Sequence, residues 1–128
     1  MPSEFCVMVV DDDPDTVEST AEILRMYGFR VLTAGGGNAA LRLAACEQPD
    51  VVISDLAMPR GDGYELAERL RQASGKPPVL VAVTGWTTRY DKVMAADAGF
   101  DLFLAKPVDP ALLVGVVRRI RDAVATRK

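Results

Sequence analysis

The sequence contains no histidine, the commonest general base and a frequent metal ligand in proteins. Catalytic triads that depend on histidine and histidine-rich zinc sites are therefore excluded. Only two cysteines occur, Cys6 and Cys46, and their spacing fits neither a zinc site nor a redox motif. We expect both to be reduced, buried thiols, as is usual in the cytoplasm.

Long apolar runs and an excess of positive charge are also absent. The apolar run at residues 5–10 is too short for a membrane span or a signal peptide, and no basic residue precedes it. Lys and Arg total 15 against 18 Asp and Glu, which gives a net charge of −3 and no bulk attraction to nucleic acid. We therefore expect a cytoplasmic protein that binds neither membranes nor nucleic acid.

What the sequence does contain is a regular alternation of apolar runs and helical patterns. The runs occupy residues 5–10, 30–34, 51–55, 79–83 and 102–105. Three of them are apolar without alternation, which is typical of strands buried on both faces of a parallel sheet. At 128 residues the chain suits one domain, residues 1–128. The pattern predicts an α/β fold, a doubly wound five-stranded parallel sheet with helices on both faces.

Capping residues indicate where several helices begin and end. Asp13 and Pro14 suit the start of the first helix, and Gly28 suits its end. Asn38 is the expected cap of a second helix over residues 39–47. The glycines before it match no phosphate-binding motif. A turn at residues 61–63 precedes the third helix.

The last two helices are predicted over residues 87–98 and from Asp109 onward. In the first of these, Val93, Met94 and Ala98 form the expected buried stripe.

Polar side chains stand at the ends of four of the predicted strands. They are Asp11, Asp12 and Asp13 after the first strand, Asp55 at the end of the third, Thr84 after the fourth and Lys106 after the fifth. The carboxyl ends of parallel strands share one edge of a sheet, so these groups converge. Clustered carboxylates repel unless a cation lies among them, and oxygen ligands favour Mg²⁺. A lysine and a threonine opposite that ion suit a phosphoryl group, and Asp55 suits the nucleophile that forms an aspartyl phosphate.

Four motifs stand in order at these strand ends. They are VVDDD at 9–13, VISDLAMPRGDG at 52–63, VTG at 83–85, and AGFD at 98–101 together with KP at 106–107. With these motifs the sequence resembles the receiver domain of response regulators in two-component signalling, the CheY-like family, over essentially its whole length. The resemblance implies the strand order 2-1-3-4-5 of flavodoxin-like and CheY-like sheets.

The resemblance also implies roles for the acidic residues. Asp55 is the expected phosphoacceptor. Asp12 is the expected direct Mg²⁺ ligand, and Asp11 holds a metal-bound water. Asp55 and the backbone carbonyl of Ala57 complete the protein ligands of the ion. Asp13 is expected to cap a helix and not to bind the metal.

Further roles are implied on the last two strands. Thr84 and Lys106 would bind the phosphoryl group, and the peptide bond from Lys106 to Pro107 would be cis. Phe103 occupies the position of the family's aromatic switch. A tyrosine there could anchor its hydroxyl in one rotamer, and phenylalanine lacks that hydrogen bond.

By the same resemblance the protein is a switch and not an enzyme, apart from gaining and losing its own phosphoryl group. The donor would be a histidine kinase or a histidine phosphotransfer protein. Phosphorylation would pull Thr84 inward and change the face formed by the fourth helix, the fifth strand and the fifth helix, where a downstream protein binds.

Two other functions fit parts of the sequence. Residues 13–17 satisfy the DxDxV pattern of haloacid-dehalogenase-like phosphatases, which also form an aspartyl phosphate. Against this, the helical periodicity puts Asp15 inside a helix, and no acidic pair follows Lys106. A receiver that docks partners without being phosphorylated is the third possibility, and the complete acidic set argues against it.

Overall fold

The computed structural model describes residues 5–56, 62–73, 76–85 and 89–126. The strands are β1 (Cys6–Val10), β2 (Arg30–Ala34), β3 (Val51–Asp55), β4 (Val79–Thr84) and β5 (Leu102–Ala105). The helices are α1 (Pro14–Met26), α2 (Gly37–Glu47), α3 (Asp62–Gln72), α4 (Arg89–Ala98) and α5 (Pro110–Thr126). Strands and helices alternate along the chain, as the sequence predicts.

The five strands form one parallel sheet in the order β2-β1-β3-β4-β5. Every residue of β1 and β3 is buried, because helices cover both faces of the sheet. This burial explains why both strands are apolar without alternation until their polar ends. The predicted fold class and strand order are confirmed.

Alternate residues of the strands point into two separate cores. Met8, Val52 and Leu80 belong to the core that α2, α3 and α4 cover. The neighbouring residues Val7 and Val81 belong to the core that α1 and α5 cover. Full burial of one such aliphatic side chain contributes about 1.5–3 kcal/mol, so the two cores supply the main driving force for folding.

Helix α1 begins and ends as its sequence predicts. Asp13 is its N-cap, since the carboxylate accepts hydrogen bonds from the backbone N–H of Asp15 at 3.3 Å and from the hydroxyl of Thr16 at 2.6 Å. Gly28 follows the last turn with a φ of +90°, in the left-handed region that glycine adopts without strain.

Helix α2 begins earlier than predicted and ends at the predicted residue, Glu47. It begins at Gly37, and Gly36 is its N-cap, with its carbonyl accepting from Ala40 at 3.0 Å. Asn38 therefore lies in the first turn and is not the cap. Cys46 is exposed, and the prediction that it is buried was wrong. The face that α2 buries contains small residues such as Gly37 and Ala40, and the thiol lies off this face.

Over residues 93–98 of helix α4, the side chains that are buried belong to alanines. Ala95 and Ala98 are buried, whereas Val93 and Met94 are exposed. The prediction of a buried stripe was thus right for Ala98 and wrong for the other two. The residues on the buried face pack among Leu66, Leu70 and other members of the core on that side.

Two aspartates close the amino-terminal edge of the sheet in the same way. The backbone N–H of Asp50 donates to the carbonyl of Cys6 at 2.8 Å, and the N–H of Cys6 donates to the Asp50 carboxylate at 2.9 Å. Asp101 and Leu80 repeat this reciprocal pair at 2.7 and 2.8 Å. Each pair joins the residue before one strand to the beginning of a neighbouring strand, which fixes the register there.

Within the described ranges, no helix combines the length and apolar character that a membrane crossing requires.

Candidate phosphoryl-transfer site

Three carboxylates meet at the carboxyl-terminal edge of the sheet. Val10 of β1 lies beside Ser54 of β3, so the next residues, Asp11 and Asp55, emerge as neighbours. Both are buried, with 5% and 7% of their surfaces exposed, whereas Asp12 is exposed. Oxygen atoms from the three side chains all lie within 4.8 Å of one another. This cluster contains all three acidic residues that the sequence predicts as metal ligands. The fourth predicted ligand, the backbone carbonyl of Ala57, lies outside the described residues.

Lys106 supplies the positive charge of the site. Its ammonium nitrogen lies 3.2 Å from an oxygen of Asp55 and 3.4 Å from an oxygen of Asp11. The backbone N–H of Lys106 donates to the carbonyl of Thr84 at 2.8 Å, which fixes the residue beside the end of β4. The Lys106–Pro107 peptide bond is cis.

The charges around Lys106 favour its protonated form. Burial alone lowers the pKa of this ammonium, but the carboxylates of Asp55 and Asp11 raise it by more, so the pKa of Lys106 lies above its ordinary value. The lysine is therefore a permanent cation at neutral pH. It offsets one of the three negative charges at this edge.

Thr84 lies on the strand next to the one that carries Asp55. It ends β4 and is fully buried, one residue beyond Val83, which pairs with Asp55. Phe103 is half-buried on β5, where it packs against the core covered by α2, α3 and α4. Ala57 and Trp86 lie outside the described residues.

Asp13 lies outside the group of carboxylates formed by Asp11, Asp12 and Asp55. Its carboxylate accepts the hydroxyl proton of Thr16, and this hydrogen bond, together with those from the α1 backbone, lowers the pKa of Asp13. Asp13 therefore serves as a helix cap, as the sequence predicts. Asp15 lies in the first turn of α1. The DxDxV pattern thus runs into a helix, as the helical periodicity predicts, which argues against a phosphatase of that type.

Gly63 lies next to the site, although its sequence pattern predicts only a turn. It belongs to α3, where a β-carbon would come within 2.6 Å of the Asp55 carbonyl oxygen and 2.9 Å of the Leu56 α-carbon. Only glycine allows α3 to begin this close to the end of β3. A glycine inside a helical pattern, where alanine is more stable, was the available signal.

The donor set suits a divalent cation with oxygen ligands. Three carboxylates and one ammonium leave a net charge of −2. Carboxylate oxygens are typical ligands of Mg²⁺, whereas transition-metal sites more often contain sulfur or imidazole ligands. A cation among Asp11, Asp12 and Asp55 would relieve their mutual repulsion. The residues present therefore fit such an ion.

Comparison with known proteins agrees with this geometry. Residues 7–118 match the family model described as the response regulator receiver domain. The resemblance inferred from the motifs is confirmed. Among solved structures, the CheY-like response regulator receiver domain protein from Methanospirillum hungatei superposes with a TM-score of 0.88 at 27% identity, covering 98% of this chain and 100% of that one.

Curated relatives differ in how much of their length this chain spans. An uncharacterized 14.6 kDa protein from Leptolyngbya boryana is 38% identical over 91% of this chain and 90% of its own length. The transcriptional regulatory protein PrrA of Mycobacterium tuberculosis is 39% identical over 94% of this chain but only 52% of its own length. The chain thus spans about half the length of PrrA, whose transcriptional function is a property of that longer protein.

Proposed function

This chain belongs to the family of response regulator receiver domains, and we propose that it works as a signalling switch whose phosphoacceptor is Asp55. One observation supports this assignment above all others. The carboxylate of Asp55 is buried at the end of the central strand, 3.2 Å from the Lys106 ammonium and within 4.8 Å of the carboxylates of Asp11 and Asp12. A carboxylate surrounded by these groups is positioned to act as a nucleophile on phosphorus.

In the proposed reaction, a carboxylate oxygen of Asp55 attacks the phosphorus of a phosphohistidine. The new bond is an acyl phosphate P–O bond, and the P–N bond of the donor breaks, with its electron pair returning to the imidazole. Lys106 pairs with a phosphoryl oxygen, and the hydroxyl of Thr84 donates to another. These contacts stabilise the charge that develops on the phosphoryl group.

Mg²⁺ is part of this proposal. Asp12 would bind the ion directly, Asp11 through a water, and Asp55 and the carbonyl of Ala57 would complete the protein ligands. When bound, the ion supplies positive charge next to the transferring phosphoryl oxygens. The fit of three clustered carboxylates to a divalent cation supports these assignments.

The proposed partners are proteins on both sides of the switch. The donor is a histidine kinase or a histidine phosphotransfer protein. The output surface is formed by α4, β5 and α5, where Val93, Met94, Leu102 and Leu112 are large apolar side chains exposed to solvent. Apolar patches on a surface mark protein contacts, and we propose that these side chains contribute to one. We propose that Thr84 and Phe103 move when Asp55 is phosphorylated and thereby change this surface.

We also propose that residues 1–128 form one receiver unit that catalyses its own phosphorylation from small donors. All five strands belong to one sheet, and the family match covers residues 7–118, which supports a single unit. Nothing in the proposal requires contact with nucleic acid.

The experiment is phosphorylation by acetyl phosphate with Mg²⁺, followed by intact mass measurement. We expect the wild type to gain the mass of one phosphoryl group and Asp55→Asn to gain none. Asp13→Asn is the matched control, since asparagine also caps helices and Asp13 lies outside the carboxylate cluster. A phosphorylated Asp55→Asn would contradict the acceptor assignment. A folded wild type that never gains phosphate would favour the phosphorylation-independent docking module.

A further inference from the structure

A cavity of about 500 Å³ lies between α1, α5 and the face of the sheet that they cover, directly beside the proposed phosphoryl site. This volume is within the range of small-molecule sites in proteins. One end of the cavity is charged, and the rest is mostly apolar. Asp11, Asp55 and Lys106 line the charged end, and Ile23, Val83, Val108 and Leu113 are among the apolar residues.

The charged end of the cavity contains positive and negative side chains within a few ångströms of one another. The Lys106 ammonium lies 3.2 Å from Asp55 and 3.4 Å from Asp11. A ligand with only a negative head would meet Lys106 together with two carboxylates that repel it. A ligand with only a positive head would meet the carboxylates together with a lysine that repels it. A head group with one charge of each sign avoids both penalties, because each charge can face its opposite.

From this arrangement we propose that the cavity binds a free α-amino acid with a large apolar side chain. Its carboxylate pairs with Lys106, and its ammonium group pairs with Asp55 or Asp11. The apolar side chain enters the space bounded by Ile23 and Leu113. The Lys106–Asp55 pair can persist, since the four charges alternate in sign around a ring. No buried charge is left without a partner, which is the condition for burying ion pairs at an acceptable free-energy cost.

The regulatory part of this inference rests on the proposed function. A bound amino acid occupies Lys106 with its carboxylate, and its ammonium group competes with a divalent cation for Asp11 and Asp55. It therefore lowers the rate at which Asp55 accepts a phosphoryl group. By linkage, Mg²⁺ lowers the affinity for the amino acid by the same factor as the amino acid lowers the affinity for Mg²⁺.

Binding is measured first, by calorimetry or NMR titration without Mg²⁺. The three probes share the same phenyl group and differ in their charged groups. L-Phenylalanine contains both charges, 3-phenylpropanoate lacks the ammonium group, and 2-phenylethylamine lacks the carboxylate. We expect L-phenylalanine to bind at least tenfold more tightly than either analogue. Equal binding of an analogue, or no binding of L-phenylalanine at millimolar concentration, would overturn the proposal.

A pair of variants locates the site. Thr20 is half-buried in α1 and lines the cavity, whereas its neighbour Ser19 is exposed and does not. We expect Thr20→Leu, which fills the cavity with an apolar side chain, to weaken L-phenylalanine binding at least tenfold. Ser19→Leu should bind as the wild type does. Thermal melting of both variants shows that they are folded, and equal affinities in the two would contradict the assigned cavity.

Phosphorylation is then measured separately with acetyl phosphate and Mg²⁺. We expect saturating L-phenylalanine to slow phosphorylation of the wild type at least threefold and to slow that of Thr20→Leu less. Binding without any phosphorylation would disprove the proposed function and leave the ligand site standing. Normal phosphorylation without amino acid binding would disprove the ligand site alone.

Discussion

Gly63 of α3 faces the backbone of Asp55 so closely that a β-carbon on the glycine would lie 2.6 Å from the Asp55 carbonyl oxygen. The obstacle is backbone on both sides, since the Leu56 α-carbon would be only 2.9 Å away. Neither atom can move without moving the end of β3. The absence of a side chain at Gly63 therefore determines where the proposed acceptor stands.

Gly63→Ala should displace either α3 or the end of β3. We expect a loss of stability of about 1–3 kcal/mol, the usual cost of overpacking, although alanine is the better helix former. Phosphorylation of Asp55 by acetyl phosphate should slow as well, because its carboxylate moves relative to Lys106. Urea unfolding and the rate of mass gain measure the two effects.

Gly115→Ala is the matched control for this prediction. Gly115 lies in α5, and a β-carbon there would meet no atom within 4 Å. The same substitution should therefore raise stability, by about 0.5–1 kcal/mol. If Gly63→Ala proves as stable as Gly115→Ala, the close approach of α3 to β3 does not constrain the site.

Mg²⁺ should stabilise the protein in a concentration-dependent way. The carboxylates of Asp11, Asp12 and Asp55 repel one another in the folded state, and a cation that binds only this state shifts the unfolding equilibrium. At a Mg²⁺ concentration 100 times Kd the gain is about 2.7 kcal/mol. Thermal melting with increasing Mg²⁺ measures it.

Asp12→Ala should remove most of this response. Without metal, the variant should be at least as stable as the wild type, because one of the three repelling charges is gone. Asp13→Asn, which alters a carboxylate outside the cluster, should keep the full response. An unchanged Mg²⁺ dependence in Asp12→Ala would show that the ion binds elsewhere.

Lys106 gives a stability contribution with a defined pH dependence. Burial lowers its pKa, but Asp55 and Asp11 raise it further, so the folded-state pKa exceeds the ordinary 10.5. A raised pKa in the folded state means that the stabilisation is complete below the unfolded pKa and is lost as pH rises through the folded one. The wild type should thus exceed Lys106→Met in stability by a constant amount from pH ~7 to ~9.5, and the difference should shrink at higher pH.

Urea unfolding at several pH values tests this dependence. Lys76→Met, at an exposed lysine near the opposite edge of the sheet, controls for the general loss of a lysine. A difference between wild type and Lys106→Met that grows above pH ~10 would have the wrong sign for a lysine held between two carboxylates.

The phosphoryl group should be long-lived, for a reason visible in the sequence. In fast-cycling receivers, polar side chains two residues after the acceptor and two after the threonine help to place the attacking water. This chain has Ala57 and Trp86 at those positions, both outside the described residues. A methyl group cannot orient water, and an indole has a single donor. Loss of one positioning group costs roughly tenfold to a thousandfold in rate.

The test compares the phosphoryl half-life of the wild type with those of Ala57→Asn and Trp86→Glu. At least one substitution should shorten it, by roughly tenfold or more if the introduced group orients water. Trp86 is the only tryptophan, so its fluorescence should also report the addition of Mg²⁺ and beryllofluoride. If neither substitution shortens the half-life, water placement by these two positions does not control hydrolysis here.

The sheet and the residues at its carboxyl edge could be predicted because their signals are local. A strand buried on both faces must be apolar throughout, so the abrupt change to aspartate after Val10 marks the end of a strand. The parallel topology then brings the polar ends of the strands to one edge. That β1 lies next to β3, which makes Asp11 and Asp55 neighbours, follows from the strand order implied by the resemblance to receiver domains.

Features that depend on packing between elements could not be predicted in the same way. Helix α4 buries Ala95 and Ala98 but leaves Val93 exposed, which contradicts a ranking by hydrophobicity. Cys46 is exposed because only one side of α2 meets the core. In both cases the buried face depends on which side of the helix meets its neighbours in the fold, and a single sequence does not specify that contact.

The reciprocal pairs at the amino-terminal edge fix the starting points of two strand segments of equal length. Asp50 is followed five residues later by Asp55, and Asp101 is followed five residues later by Lys106. Each segment starts at an aspartate that is hydrogen-bonded to a neighbouring strand, and its five residues span about 16 Å at the usual rise of a strand. Removing one residue from β3 would draw the Asp55 carboxylate back by about 3.3 Å, the same size as its separation from Lys106, and turn its side chain to the other face. The lengths of β3 and β5 therefore determine whether Asp55 and Lys106 reach the same point.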